Sequence, residues 1–172
     1  MSPFAAIEQG RQDGVILSGW QFPRQANVSL KRLHGYWLSR CPPGMALPRR
    51  RDIDPADFPA PLQNVLLLNV HDDEPWFTHR VAGAKLSWLL RRPMTGQPLG
   101  AGLSENQRLS AFARAREVAL TQEPRYRSGD LGWCGRDYLN FEELLLPLAG
   151  PDGSTAMILG ILMVLDPHGR EC

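Results

Sequence analysis

Residues 138–166 read YLNFEELLLPLAGPDGSTAMILGILMVLD, and this stretch decides the fold. Two mainly apolar runs, 138–148 and 155–166, flank a short segment that contains two glycines, a proline and an aspartate. Such residues supply turn geometry, and two strand-like runs joined by a Gly-containing loop predict a β-hairpin. Because both runs are apolar along nearly their whole length, neither face of the hairpin suits water. The rest of the chain must therefore cover both faces.

Composition limits the class of protein. The 172 residues are enough for one domain with extensions, and 43% hydrophobic with 22% charged residues is ordinary for a soluble globular chain. A net charge of +1 gives no general attraction to nucleic acid or to a membrane surface. The three cysteines are scattered and lack CxxC spacing, which favours free thiols in a reducing compartment.

The sequence gives no sign of targeting or membrane insertion. The N-terminus lacks a long apolar leader, and the apolar run at 155–165 is too short to span a bilayer. We therefore expect no membrane span, no nucleic-acid partner and a cytoplasmic location.

A helix leads the chain after a segment without periodicity. Residues 1–27 form an arm in which 15–22 is either a short strand or an apolar segment packed on a neighbour. The pattern then predicts a helix over 27–40, with Asn27 as N-cap. Three large apolar residues share one face of this helix, namely Leu30, Leu33 and Trp37.

A basic, proline-rich connection follows this leading helix. Arg49, Arg50 and Arg51 either remain solvated beside neighbouring aspartates or dock onto an acidic partner. We divide the chain into an arm (1–27), a leading helix with its Pro/Arg-rich connection (28–62) and a core (63–167).

The core begins with two strand-like runs, 64–71 and 76–82, followed by a short helix over 84–92. The best helix lies at 104–122, where Ser104 and Gln107 form a capping box. Its predicted apolar stripe consists of Leu109, Phe112, Ala113 and Leu120, and Arg116 intrudes on that stripe while Arg114 points elsewhere. A strand over 126–133 then leads to the hairpin. Strands grouped at both ends of a helical middle predict an α+β fold with an antiparallel sheet.

This order of elements resembles a PAS domain, in particular a bacterial PAS subfamily that was formerly classed as a domain of unknown function and usually occurs as single-domain proteins. Six short motifs carry the likeness, which are Tyr36-Trp37, PRRRDIDP at 48–55, LLLNV at 66–70, HRVAG at 79–83, Thr95-Gly96 and the FEELLLPL run at 141–148. The resemblance implies a five-stranded sheet in spatial order 2-1-5-4-3, with helices on one face and an N-terminal helical extension. It also implies a stand-alone sensory or regulatory module without catalytic residues.

In a PAS fold the long helix and the sheet line an internal cavity. The resemblance therefore suggests six ligand-binding candidates, namely Arg80, Trp88, Phe112, Arg116, Trp133 and Tyr138. A buried guanidinium needs an anion or several acceptors, whereas a surface arginine extends its stem over apolar groups and keeps its charge in water. The aromatic residues either line the cavity or fill it as core. The ligand itself is an unknown small molecule.

No metal, haem, flavin or catalytic constellation is apparent. The four histidines lack metal-ligand spacing, and residues 84–124, where a haem-binding PAS domain carries its histidine, contain none. The cysteine motif of flavin-binding PAS domains is also missing. Glu142 and Glu143 are adjacent, so on a strand they face opposite sides and cannot pair as acid and base. We expect no enzyme activity and neither haem nor flavin.

The expected partners are a second copy of the chain and a signalling protein. Leu30, Leu33, Tyr36 and Trp37 form the predicted homodimer interface, because the leading helix shows more apolar width than one contact needs. The favoured function is a sensory or regulatory module that acts through protein contacts and holds a small ligand in its cavity. The alternatives are a ligand-free structural adaptor and, less favoured, a small-molecule enzyme.

Overall fold

The structure is a computed structural model, and it describes residues 22–172. The arm segment 15–22 lies outside the described residues except for Phe22. The described chain runs in the order α1 (Val28–Ser39), β1 (Val65–Val70), β2 (Phe77–Ala82), α2 (Ala84–Leu90), α3 (Glu105–Thr121), β3 (Arg125–Leu131), β4 (Arg136–Ala149) and β5 (Thr155–Leu165).

The five strands form one antiparallel sheet in the order β2-β1-β5-β4-β3, which confirms the predicted α+β fold and strand order. The β4–β5 hairpin supplies the central pairing, with Leu144 opposite Ile161. Strand β5 lies in the middle of the sheet, and its residues from Ile158 to Leu165 are all buried. The hairpin therefore lies between two layers of cover, as its apolar sequence requires.

Helix α1 covers the outer face of the sheet, which is the face opposite α3. Leu30 and Leu33 are fully buried there. Trp37 packs in the same cluster, and its Nε1 donates a 2.9 Å hydrogen bond to the carbonyl of Pro147. Asn27 caps the helix by accepting from the backbone N–H of Ser29, as predicted.

The position of α1 buries most of the residues that were predicted to form the dimer interface. Leu30, Leu33 and Trp37 belong to the core of the chain itself, so a second copy does not meet them without opening the fold. The Tyr36 hydroxyl is held by the backbone of Asp54, donating to its carbonyl and accepting from its N–H. The apolar face formed by Leu30, Leu33 and Trp37 is thus taken up within one chain, whereas Val28 and Leu38 of the same helix remain 57% and 54% exposed.

The connection between α1 and β1 continues this outer layer. Its backbone joins the end of β4, where Ala149 N donates to the carbonyl of Pro48 at 2.9 Å. Asp52 accepts from the backbone N–H of Arg49 and lies 3.7 Å from its Nε. Asp52 thus lies beside the first arginine of the basic run, although Arg49 Nε itself is buried.

Helices α2 and α3 cover the inner face, but α3 is rotated relative to the prediction. Its buried residues are Ala111, Ala115 and Val118, whereas Leu109 and Leu120 are 51% and 39% exposed. The predicted stripe was therefore wrong for Leu109, Ala113 and Leu120, and Phe112 alone of its members packs against the core. Small side chains at 111 and 115 face the sheet and allow the helix to pack close to it, so the larger residues lie on the flanks.

Candidate functional site

A cavity of about 80 Å³ lies between the inner face of the sheet and helices α2 and α3, and we call it the inner chamber. Its walls are largely leucine and alanine, contributed by Leu66, Leu68, Leu145 and Leu162 of the sheet, Leu86, Leu89 and Leu90 of α2, and Ala111 and Ala115 of α3. Four polar or charged side chains also line it, namely His79, Arg114, Arg127 and Glu143. An apolar pocket with a few convergent polar groups is the usual form of a small-molecule site.

A second space of about 300 Å³ adjoins the inner chamber on the solvent side, and we call it the outer chamber. Its lining is more polar and consists of Leu103, Asn106, Gln107, Ser110, Arg114, Arg127 and Trp133. Leu103, Arg114, Arg127 and Trp133 line both chambers, so they mark the junction between them. Asn106 and Ser110 are exposed, which places the outer chamber at the surface of α3.

Two guanidinium groups share one carboxylate at this junction. Arg127 donates from Nε and Nη2 to the two oxygens of Glu143, each at 2.9 Å. Arg114 is less closely held, because its Nε lies 3.9 Å from Glu143 Oε1. Its Nη1 donates to Ser110 Oγ at 2.7 Å. The bidentate geometry makes Arg127 the principal partner of Glu143.

Burial acts on Arg114 more than on an ordinary surface arginine. Removal from water lowers the pKa of Arg114, and the nearby charge of Glu143 partly offsets that effect. Its Nε is buried and has no hydrogen-bond partner within residues 22–172. A buried donor without an acceptor is unfavourable, so this N–H suits an additional acceptor.

The two glutamates on β4 face opposite sides of the sheet, as their adjacency predicted. Glu143 points to the chambers, whereas Glu142 accepts a 2.7 Å hydrogen bond from the backbone N–H of Asn27 beneath α1. Only Glu143 thus takes part in the candidate site.

His79 lies on β2 and is 3% exposed. Burial lowers its pKa to about 4, so the imidazole is neutral at physiological pH. Its Nδ1 is buried and makes no hydrogen bond to any of residues 22–172. The side chain therefore adds polarity to the inner chamber without adding charge.

Arg80 lies away from this cavity, beside a β-bulge. Leu67 pairs with Val81 and Leu68 pairs with His79, so Arg80 is the extra residue between two ladder positions. Arg80 is exposed and lines neither chamber. The exposed position agrees with the alternative in which Arg80 is a surface arginine that keeps its charge in water.

Of the other predicted ligand-binding residues, only Trp133 lines the chambers. Phe112 packs edge-on against Phe77 at 5.4 Å between ring centroids. Tyr138 is 62% exposed, and Trp88 is 48% exposed. The guanidinium of Arg136 stacks over the Trp88 ring at 4.1 Å and donates to the carbonyl of Leu89 at 2.9 Å.

The arginine of α3 at the cavity is Arg114 and not Arg116. Arg116 lines neither chamber, although the sequence pattern had placed it on the inward stripe. The same rotation of α3 that buries Ala111 and Ala115 brings Arg114 to the sheet side. The sequence reasoning therefore missed Arg114, and with it Arg127, Glu143 and His79.

Within the described residues 22–172, no cluster of three or more His, Cys, Asp or Glu side chains has the arrangement of a metal site. None of the helices in that same part of the chain is both long and apolar enough to cross a membrane.

Comparison with known proteins fits this architecture. A family model described as "PAS domain" matches residues 25–163, which is most of the chain. The chain belongs to the PAS domain family. PAS domains are sensory and regulatory modules, and this domain is one of them in that broad sense.

One similar solved structure is the N-terminal domain of a diguanylate cyclase with a PAS/PAC sensor from Marinobacter aquaeolei. It is 7% identical, with a TM-score of 0.41, and the match covers 57% of this chain and 92% of that one. No curated protein matches the chain.

Proposed function

We propose that this PAS domain is a sensory or regulatory module whose state depends on a small ligand held in the inner and outer chambers. The observation that carries the proposal is that two side chains lining the inner chamber, His79 and Arg114, each have a buried polar atom, Nδ1 and Nε respectively, without a partner within residues 22–172. Buried polar groups in native proteins are nearly always paired. A ligand that hydrogen-bonds to them stabilises the folded chain.

The dimensions of the site support a small ligand. Ligand pockets typically measure roughly 300–1,000 Å³, so the inner chamber of about 80 Å³ is too small for most ligands on its own. The adjoining outer chamber of about 300 Å³ extends the available space to the surface. A ligand therefore occupies the junction and projects into both chambers.

A ligand at the junction contacts elements that are separate in sequence. Arg114 lies on α3, Arg127 on β3 and Glu143 on β4, and Trp133 lies in the turn between those two strands. Gln107 already joins α3 to this turn by donating to the carbonyl of Trp133 at 3.0 Å. A ligand shifts an equilibrium only by binding one state better than another, and this junction gives it contacts that depend on where α3 lies.

We propose that the domain passes its signal on by contact with a second copy of the chain. The support is a shallow apolar groove of about 230 Å³ beside edge strand β2, formed in part by Ile53, Phe58, Leu62, Val65 and Val81. Leu62 is 62% exposed and Val81 is 44% exposed. Exposed apolar surface of this kind is typical of interaction sites. A separate signalling protein is the alternative occupant.

One observation favours the second candidate, a ligand-free adaptor. Glu143 is already satisfied by Arg127 within the chain, and the inner chamber is small. In that case the inner face is a core with minor voids, and only the surface of the domain carries function. We propose no catalytic role in either case.

A ligand screen against wild type and a filled-cavity variant separates the two candidates. Ala111 lines the inner chamber, so Ala111→Leu occupies part of it, whereas Ala113→Leu adds the same volume on the exposed side of α3. We expect some members of a library of small acids, bases and neutral compounds to raise the melting temperature of wild type and of Ala113→Leu, but not of Ala111→Leu. If no compound stabilises any of the three proteins, the adaptor is favoured. Equal stabilisation of all three would instead indicate a ligand site outside the inner chamber.

A further inference from the structure

The two chambers differ in chemistry, and the difference bears on the charge of the ligand. The inner chamber is walled by leucine and alanine, whereas the outer chamber carries the amides of Asn106 and Gln107 and the hydroxyl of Ser110. The charged residues that line either chamber are Arg114, Arg127 and Glu143, which sum to one net positive charge. A molecule with a polar end and an apolar end matches this division.

The two arginines at the junction are not equivalent. Arg127 is engaged through two 2.9 Å hydrogen bonds to Glu143, and its guanidinium also lies 4.6 Å from the centre of the Phe141 ring. Arg114 is 3.9 Å from the same carboxylate, beyond hydrogen-bond distance. Arg114 Nη1 donates to Ser110, but Arg114 makes no hydrogen bond to Glu143, so it has more hydrogen-bonding capacity left for a ligand than Arg127 has.

We infer that the ligand is a small amphipathic monoanion, with its carboxylate bound by Arg114 at the chamber junction and a short apolar tail in the inner chamber. This inference rests on the proposed ligand-binding function. A guanidinium matches the planar geometry of a carboxylate and forms charge-assisted hydrogen bonds with it. The pairing neutralises the one net positive charge of the lining.

The same features disfavour other ligand charges. A cation faces two guanidinium groups of which only one is neutralised, so its approach is repelled. A dianion with charges at both ends places one of them in the inner chamber, where the buried His79 is neutral and the walls are apolar. The small volume of that chamber limits the tail to a few carbons.

The test compares carboxylates with uncharged analogues of the same shape. Butanoate, hexanoate and octanoate, together with the corresponding amides, are titrated by calorimetry into wild type, Arg114→Met and Arg116→Met. Arg114→Met retains an unbranched stem and leaves Glu143 paired with Arg127. Arg116→Met makes the same change on the same helix at a residue outside both chambers, which makes it the matched control.

We expect wild type to bind at least one acid, and to bind its amide roughly tenfold or more weakly, because a charge-assisted hydrogen bond is lost. Arg114→Met should lose a comparable roughly tenfold or more in affinity for the acid, and Arg116→Met should bind like wild type. Circular dichroism confirms that each variant is folded. The comparison of acid and amide binding to wild type tests the charge of the ligand even if a variant does not fold.

The outcomes separate this inference from the proposed function. Equal binding of acid and amide, or unchanged acid binding by folded Arg114→Met, overturns the monoanion while leaving ligand binding intact. If only bases or neutral compounds from the wider library bind, the monoanion is likewise overturned while ligand binding stands. If no acid, amide or library compound binds, the proposed ligand-binding function fails together with the inference.

Discussion

Arg127 and Glu143 are direct cross-strand neighbours on β3 and β4, and their side chains form two parallel hydrogen bonds of 2.9 Å at the junction of the two chambers. Glu143 is 9% exposed, so the pair is held in a partly desolvated setting. The pair fixes this wall of the site, and it leaves Arg114 as the cation with spare capacity.

We expect Glu143→Gln to lower the free energy of unfolding by roughly 1–3 kcal/mol, because it removes a charged acceptor and leaves two nearby guanidinium groups without their anion. Arg125→Met is the control, since its partners Glu117 and Glu123 are half-exposed and such pairs contribute less than about 1 kcal/mol. Urea denaturation measures both. Equal losses from the two variants contradict a special role for the buried pair.

We expect Trp37→Phe to destabilise the protein by roughly 1–3 kcal/mol, because Nε1 no longer donates to the Pro147 carbonyl that lies buried between α1 and β4. Tyr36→Phe, one residue away, loses only exposed hydrogen bonds to Asp54 and should cost less. Thermal melts of both variants measure the difference. If Tyr36→Phe is the more harmful substitution, α1 is not anchored to the outer face as described.

Because the pKa of His79 is lowered by burial, we expect the free energy of unfolding to fall in mild acid. Its pKa is about 4 in the folded chain and about 6.5 when unfolded, so below pH 6.5 the unfolded state binds a proton that the folded state does not. The stability that the neutral, buried His79 contributes is fully present above about pH 6.5. It is lost progressively as the pH falls toward about 4, by at most about 1.4 kcal/mol per pH unit.

The measurement for His79 is the free energy of unfolding between neutral pH and mild acid, in wild type and His79→Leu. Burial also lowers the pKa of His34, but that residue is present in both proteins and its effect cancels in the difference. The wild-type curve should fall more steeply than that of the variant. Parallel curves would show that His79 is not buried in the neutral form.

We expect the 172-residue chain to sediment as a dimer at micromolar concentration and Leu62→Asp to shift it toward monomer, because a charge in the apolar groove beside β2 opposes desolvation. Leu109→Asp places the same charge on α3, where Leu109 is 51% exposed and lies outside that groove, so it should remain dimeric. A monomeric wild type, or identical behaviour of both variants, rules out this interface.

The sequence patterns were sufficient for the elements and the α+β class because these patterns are local, whereas the strand order was implied by the resemblance to PAS domains. The apolar hairpin at 138–166 predicted two central strands that are covered on both faces, and β4 and β5 occupy those places. The capping residues Asn27 and Ser104 likewise marked the starts of α1 and α3 correctly. Alternation along a strand was enough to separate Glu142 from Glu143.

The candidate site was harder to predict because it depends on helix rotation and strand register. In α3, Leu109 and Leu120 look like core residues, yet the alanines at 111 and 115 face the sheet and bring Arg114 with them. The pairing of Arg127 with Glu143 follows from the β3–β4 register, which includes an irregularity at Asp130 and Leu131 that the sequence does not reveal.

The most direct test of ligand binding is native mass spectrometry of wild type, Ala111→Leu and Ala113→Leu, each after incubation with the same small-molecule library. We predict that wild type and Ala113→Leu retain an additional small mass at one-to-one stoichiometry, and that Ala111→Leu, whose inner chamber is filled, does not. A bare wild-type mass, or the same added mass on all three proteins, would contradict a ligand site between α3 and the sheet.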